Sequence, residues 1–130
     1  TVFFGANDSA LPGSSQHVPA EEYGENVREI VRILREHMSG TPILLITPPP
    51  VDEVAWRAYC EQGGIPWLSA ARSNDAAAEY GAILQSVGTE VGCPVLDTWR
   101  LLGGDEGKSS QHLTDGLHLA GSGNELLYGG

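Results

Sequence analysis

The chain has 130 residues, 17 acidic against 7 basic side chains for a net charge of −10, and 41% apolar residues, which argues for one compact domain and against both a multidomain protein and a disordered acidic tail. The few Lys and Arg are scattered and cannot track a phosphate backbone or an anionic leaflet, so neither nucleic acid nor a membrane surface is an expected partner. The longest apolar stretch, Pro42 to Pro50, is far short of a membrane span. Cys60 and Cys93 show no CxxC or metal-ligand spacing, which favours reduced thiols in a reducing, cytoplasmic setting.

Thr1 to Gly5 (TVFFG) is a short β-branched and aromatic run closed by Gly, as suits a strand buried on both faces. Ala6 to Pro19 is crowded with Asn, Asp, Ser, Gly and Pro and predicts a loop at that strand's carboxyl end. Pro19 suits a first helical turn, with Glu21, Glu22 and Glu25 at the positive end of the dipole. Val27, Ile30, Val31, Ile33, Leu34 and Met38 fall largely on one stripe and carry that helix to Gly40. Ile43 to Thr47 (ILLIT) predicts a central parallel strand cut off by Pro48, Pro49 and Pro50. Helices follow over Asp52 to Gln62 and Ser73 to Val87, the second capped by Ser73 or Asn74. Pro94 to Trp99 predicts a third strand, Gly103 to Ser110 a Gly-rich loop, and Glu125 to Tyr128 a last short helix. Trp56, Trp67 and Trp99 are expected in the core or in a pocket wall.

Strands alternating with helices predict a three-layer α/β/α architecture, a parallel sheet with right-handed crossovers and helices on both faces. Ligands sit beyond the carboxyl ends of such strands. The polar loops Ala6 to Pro19 and His112 to Asn124 are both expected there.

Two segments carry chemistry. In DGLH, Asp115 and His118 are spaced so that the carboxylate can meet one imidazole nitrogen, fix the tautomer and leave the other nitrogen to accept a proton from a nucleophile. In GAND, Asn7 follows a strand and a Gly, a position from which its amide can donate to a developing oxyanion. Each has an ordinary structural alternative, a turn for Asn7 and Asp8 and a capping Asp beside a surface His for DxxH. His112, Asp115 and His118 also form an HxxDxxH spacing, a metal signal weaker than the triad reading because it lacks a helix to align the three and a fourth ligand nearby.

Together these segments stand in the order seen in the SGNH, or GDSL-type, serine hydrolases, which the chain resembles over nearly its whole length. Within that superfamily it is similar to the isoamyl-acetate-hydrolysing esterase branch, through VFFGANDSA, HVPAEEYGENVREIV, LLITPPPVDEVAW, VLDTW and LTDGLHLAGSGNELLY. The resemblance implies a flavodoxin-like sheet, a small ester substrate, no cofactor, Asn7 as oxyanion donor, His118 as general base and Asp115 as its orienting acid.

The family's nucleophile, the Ser of a GDS block after the first strand, has no counterpart in these residues. The chain opens at Thr1, inside an apolar run, and ends on Gly129 and Gly130, so residues 1–130 are expected to be the carboxyl-terminal portion of one hydrolase domain. At about 30 residues per βαβ unit, roughly 60 residues and the first two strands are expected to be missing. Ser9, Ser14 and Ser15 lie in the Asn7 loop but lack the strained strand-to-helix turn that activates such serines. The chain is therefore expected to be inactive alone, part of an esterase whose complete form uses Ser, His and Asp. The alternative is a non-catalytic structural or assembly subunit on a truncated hydrolase fold. Either way the Thr1 to Gly5 edge is expected to be covered, by an upstream segment or a partner chain.

Overall fold

The computed structural model describes residues 1–129; the last position of the expected 1–130 domain lies outside the described residues. In chain order the elements are α1 (Ala20–His37), β1 (Leu45–Ile46), α2 (Glu53–Gln62), a 3-10 helix (Pro66–Ala71), α3 (Asn74–Val91), β2 (Val95–Leu96), α4 (Thr98–Leu101), a second 3-10 helix (Ser109–His112) and α5 (Gly121–Tyr128). Among the described residues no helix is long and apolar enough to cross a membrane.

The sheet is parallel and small. β1 pairs with β2 in the register Leu45 to Val95 and Ile46 to Leu96. On the other side of β1, the Val2 N–H donates to Leu44 O (2.8 Å) and the Ile46 N–H to Val2 O (2.9 Å). The spatial order is thus Val2, β1, β2. Of the three expected strands two form, both shorter than their apolar runs, and the Thr1 to Gly5 run, expected as a strand buried on both faces, instead leaves Phe3 and Phe4 exposed. Thr1 to Gly5 contributes a single bridge at Val2, because Phe4 O is taken by the Tyr23 hydroxyl (3.2 Å) and Gly5, at φ +111°, turns the chain away. The strand expected over Pro94 to Trp99 stops at Leu96, because the Asp97 carboxylate accepts from the Arg100 N–H (3.1 Å) and starts α4.

The helices follow their sequence signals closely. α1 carries Glu21 and Glu22 in its first turn and Arg35 and His37 in its last, matching the dipole. Its buried stripe of Tyr23, Val27 and Val31 packs with Tyr80, Leu84 and Val87 of α3 against Val2 and Leu45. The Tyr23 and Tyr80 rings meet at 5.1 Å and 40°, and their hydroxyls bond to Phe4 O and Val18 O. Burial, with Asp8 nearby, pushes both phenols up. Ile46 alternates to the opposite face of β1 and is also buried, so the sheet is covered on both sides, the α/β layering expected. Asp52 caps α2 through the Val54 and Ala55 N–H groups (3.1 and 3.0 Å), and Ser73 rather than Asn74 caps α3. α5 begins at Gly121, earlier than the apolar pattern indicated.

Cys60 and Cys93 are free and buried. Trp56 is buried in the core, whereas Trp67 is 70% exposed and stands in the wall of a hollow, the other place expected for the tryptophans. Trp67 sits on the outer side of the 3-10 helix, where it borders a shallow surface hollow.

Candidate active site

The DGLH segment is a tight turn closed by an antiparallel bridge between Leu113 and Leu119 and by the Thr114 N–H donating to His118 O (2.8 Å). Inside it, Asp115 Oδ1 accepts from the Leu117 and His118 N–H groups (2.9 and 2.8 Å), while Oδ2 lies 2.6 Å from His118 Nδ1. Burial raises the Asp115 pKa, but the His118 N–H, its ring and the Leu117 N–H outweigh it and hold the carboxyl below the usual range. A carboxylate only accepts, so Nδ1 carries the proton and Nε2 is the ring's acceptor.

The turn is fixed to α2. Gly116 O accepts from the Asp52 N–H (2.9 Å). Gly116 sits at φ +92°, and a Cβ there would lie 2.4 Å from Trp56 N and 2.5 Å from Asp52 O. Only glycine allows this approach. The Trp56 and His118 rings meet in a T-shaped contact at a centroid distance of 6.3 Å and 66°.

Asn7 is held by a second turn, at the carboxyl end of the Val2 bridge. Gly5 packs so closely under Pro48 and Tyr23 that a Cβ would come within 2.7 Å of each. Its N–H donates to Asp8 Oδ2 (3.1 Å), and the Ser9 N–H donates to Gly5 O (2.9 Å). The exposed Asn7 side chain then stands at the rim. Its Oδ1 accepts from Arg72 Nη2 at 2.9 Å.

These two turns meet across one depression of about 350 Å³, lined by Asn7 and His118 together with Phe3, Phe4, Pro49 and Leu119. A smaller hollow beside it shares Asn7 and His118 and adds Gln16, Trp56 and Arg72. The loop serines lie elsewhere. Ser9 is buried with its hydroxyl donating to Ala6 O (3.3 Å), and Ser14 and Ser15 border the Trp67 hollow, where Ser14 Oγ accepts from the Gln16 N–H (3.3 Å). His112 of the HxxDxxH spacing has a buried Nδ1 without a partner among the described residues, and among those residues no three His, Cys, Asp or Glu side chains gather closely enough to hold a metal ion.

Two contributors escaped sequence reasoning. Arg72, in a loop before α3, reaches across the fold to Asn7 with nothing local to announce it. Asn74, expected as a possible cap, instead accepts from the Val51 N–H (3.1 Å) and Trp99 Nε1 (3.0 Å) and donates to Gly104 O (3.1 Å). It thereby fixes the segment leaving β1 after the proline run.

Residues 1–126 match the GDSL-like Lipase/Acylhydrolase family. The chain is 41% identical to an isoamyl acetate-hydrolyzing esterase 1 homolog of Mus musculus, over 98% of its own length and 51% of the relative's. It is 37% identical to a GDSL esterase/lipase of Arabidopsis thaliana, covering 98% of itself and 55% of that protein. Among solved structures it is similar to a lipase/acylhydrolase from Enterococcus faecalis, with a TM-score of 0.66, 26% identity, and coverage of 96% of this chain and 54% of that one. An acetylxylan esterase from Geobacillus stearothermophilus shares the fold, with a TM-score of 0.66 at 20% identity and coverage of 96% and 53%. The chain spans about half the length of the relatives it matches.

Proposed function

Because the chain belongs to the GDSL-like lipase/acylhydrolase family, we propose that it carries the base and oxyanion half of a carboxylic ester hydrolase. The observation that carries this reading is the Asp115 carboxylate at 2.6 Å from His118 Nδ1, at a depression that also holds Asn7. A serine from polypeptide outside these residues attacks the ester carbonyl, and His118 Nε2 takes its proton. Asp115 stabilises the resulting imidazolium, Asn7 Nδ2 donates to the tetrahedral oxyanion, and His118 then protonates the departing alcohol. Water repeats the cycle on the acyl-enzyme.

The walls bear on the substrate. Phe3, Phe4, Pro49, Leu117 and Leu119 are apolar, while Asp8 at the rim and the net charge of −10 oppose an anionic acyl group. A small uncharged ester suits this lining. The Val2 edge is where the nucleophile-bearing polypeptide docks. In a parallel strand the Val2 N–H and C=O face β1, so those of Thr1 and Phe3 face outward beside the exposed rings of Phe3 and Phe4.

The test is hydrolysis of a short p-nitrophenyl ester by the full-length gene product. His118→Ala is expected to lower kcat by roughly 10³-fold or more and Asn7→Ala by about 10²-fold, with intact folds by circular dichroism. A full-length protein that hydrolyses no short ester, or a His118→Ala variant that retains wild-type kcat, overturns the proposal.

A further inference from the structure

Arg72 follows the 3-10 helix and is only 8% exposed. Its guanidinium donates to four oxygens: Ala6 O, Asn7 O (3.4 Å), Asn7 Oδ1 (2.9 Å) and Gln16 Oε1 (2.6 Å). All four are neutral. Among the described residues Arg72 makes no salt bridge, whereas the other well-bonded arginines, Arg28 and Arg32, pair with glutamates on the surface. Burial lowers the Arg72 pKa, yet a guanidinium stays charged at any ordinary pH. A buried cation without an anion is an expensive arrangement, and such groups are ordinarily paired.

The chemistry of the contact fixes the orientation of Asn7. A guanidinium has donors and no acceptor, so the amide atom facing Arg72 must be the oxygen. Nδ2 is therefore turned away from Arg72, and among the described residues it has no protein acceptor. Asn7 and His118 line both hollows, and Arg72 lines the smaller one with them.

We propose that Arg72 is a positioning residue for ester hydrolysis, locking the Asn7 amide with Nδ2 as the free donor and gaining its missing counter-charge when the oxyanion forms. This rests on the reading of Asn7 as oxyanion donor. The cation on Oδ1 polarises the amide and strengthens the N–H donor at its other end. The same charge, held in place before reaction, needs no reorganisation when negative charge develops.

A purely structural role, pinning the loop from Ala6 to Gln16, predicts something different. The decisive experiment is a double-mutant cycle on kcat in the full-length gene product with a short p-nitrophenyl ester. Arg72→Met is expected to lower kcat about tenfold or more with KM little changed, but to cost under about twofold in an Asn7→Ala background. Arg72→Lys, which keeps the charge and N–H donors but not the planar fork, is expected to recover part of the loss. Equal losses in both backgrounds overturn the proposal.

A second readout needs no turnover. The Asn7 side-chain amide is expected to show slower C–N rotation by nuclear magnetic resonance in the wild type than in Arg72→Met, with Arg72→Lys in between. An Asn7 amide that rotates equally fast in the wild type and in Arg72→Met overturns the lock, whatever the activity. A slow Asn7 amide in a protein without esterase activity leaves the lock standing and removes the hydrolase reading.

Discussion

His118 Nδ1 lies 2.6 Å from Asp115 Oδ2, and the two side chains are very differently exposed, 69% for the imidazole and 9% for the carboxylate. The acid is therefore the anchored member of the pair, and its pKa is lower in the folded chain than in the unfolded one. A depressed carboxyl contributes stability above its unfolded pKa of about 4, and that contribution fades as pH falls through the folded value. Asp115→Asn is expected to lower the urea midpoint at neutral pH, with the gap from wild type narrowing as the pH is taken below about 4. Urea titrations at several pH values check this, and a gap that widens in acid contradicts it.

Gly116→Ala tests the fit of the His118 turn on α2. The left-handed backbone alone costs about 1–2 kcal/mol for a residue with a Cβ, and the added carbon would lie 2.4 Å from Trp56 N. A loss exceeding about 2 kcal/mol is expected in denaturant unfolding. A loss under about 1 kcal/mol would show that the turn can lift off α2 freely.

The isolated 130-residue chain is expected to give neither burst nor turnover on a short p-nitrophenyl ester, and His118→Ala in that chain is expected to behave identically. The buried Ser9 hydroxyl and the remote Ser14 and Ser15 are the reason. Turnover abolished by Ser9→Ala would reverse this expectation.

The isolated chain is also expected to self-associate through the Val2 edge, since Phe3 and Phe4 are 38% and 59% exposed beside outward backbone groups. Light scattering should show mass rising with concentration, and Phe4→Lys should suppress the rise. A monomer across the concentration range, with fast exchange at the Phe3 amide, would count against the edge as a docking surface.

The helices were legible because their signals are local. Pro19 with Glu21 and Glu22, Asp52, and Ser73 mark starts, and the spacing of Val27, Val31, Leu84 and Val87 marks the buried faces. Strand lengths were not, because an apolar run such as ILLIT records burial, whereas pairing ends where Pro48 removes a donor or where Asp97 prefers to cap a helical turn. The contact between Asp115 and His118 was legible because a spacing of three brings the two side chains together within one turn. Arg72 was not: its bond to Asn7 spans 65 positions, and nothing in the Ala-Ala-Arg-Ser sequence around it tells a buried guanidinium from a solvated one.

The bond from the Asp52 N–H to Gly116 O has a further consequence. It makes the His118 turn ride on α2, whereas Asn7 hangs from Gly5 beneath Tyr23 and Pro48. Proteins open in contiguous pieces with separate free energies, and here His118 and Asn7 are anchored to different elements. Gentle warming would part Asn7 from His118 while most helices persist, so in the proposed full-length esterase inactivation would run ahead of the far-ultraviolet melt. A ligand spanning Asn7 and His118 would close that gap by fastening one piece to the other.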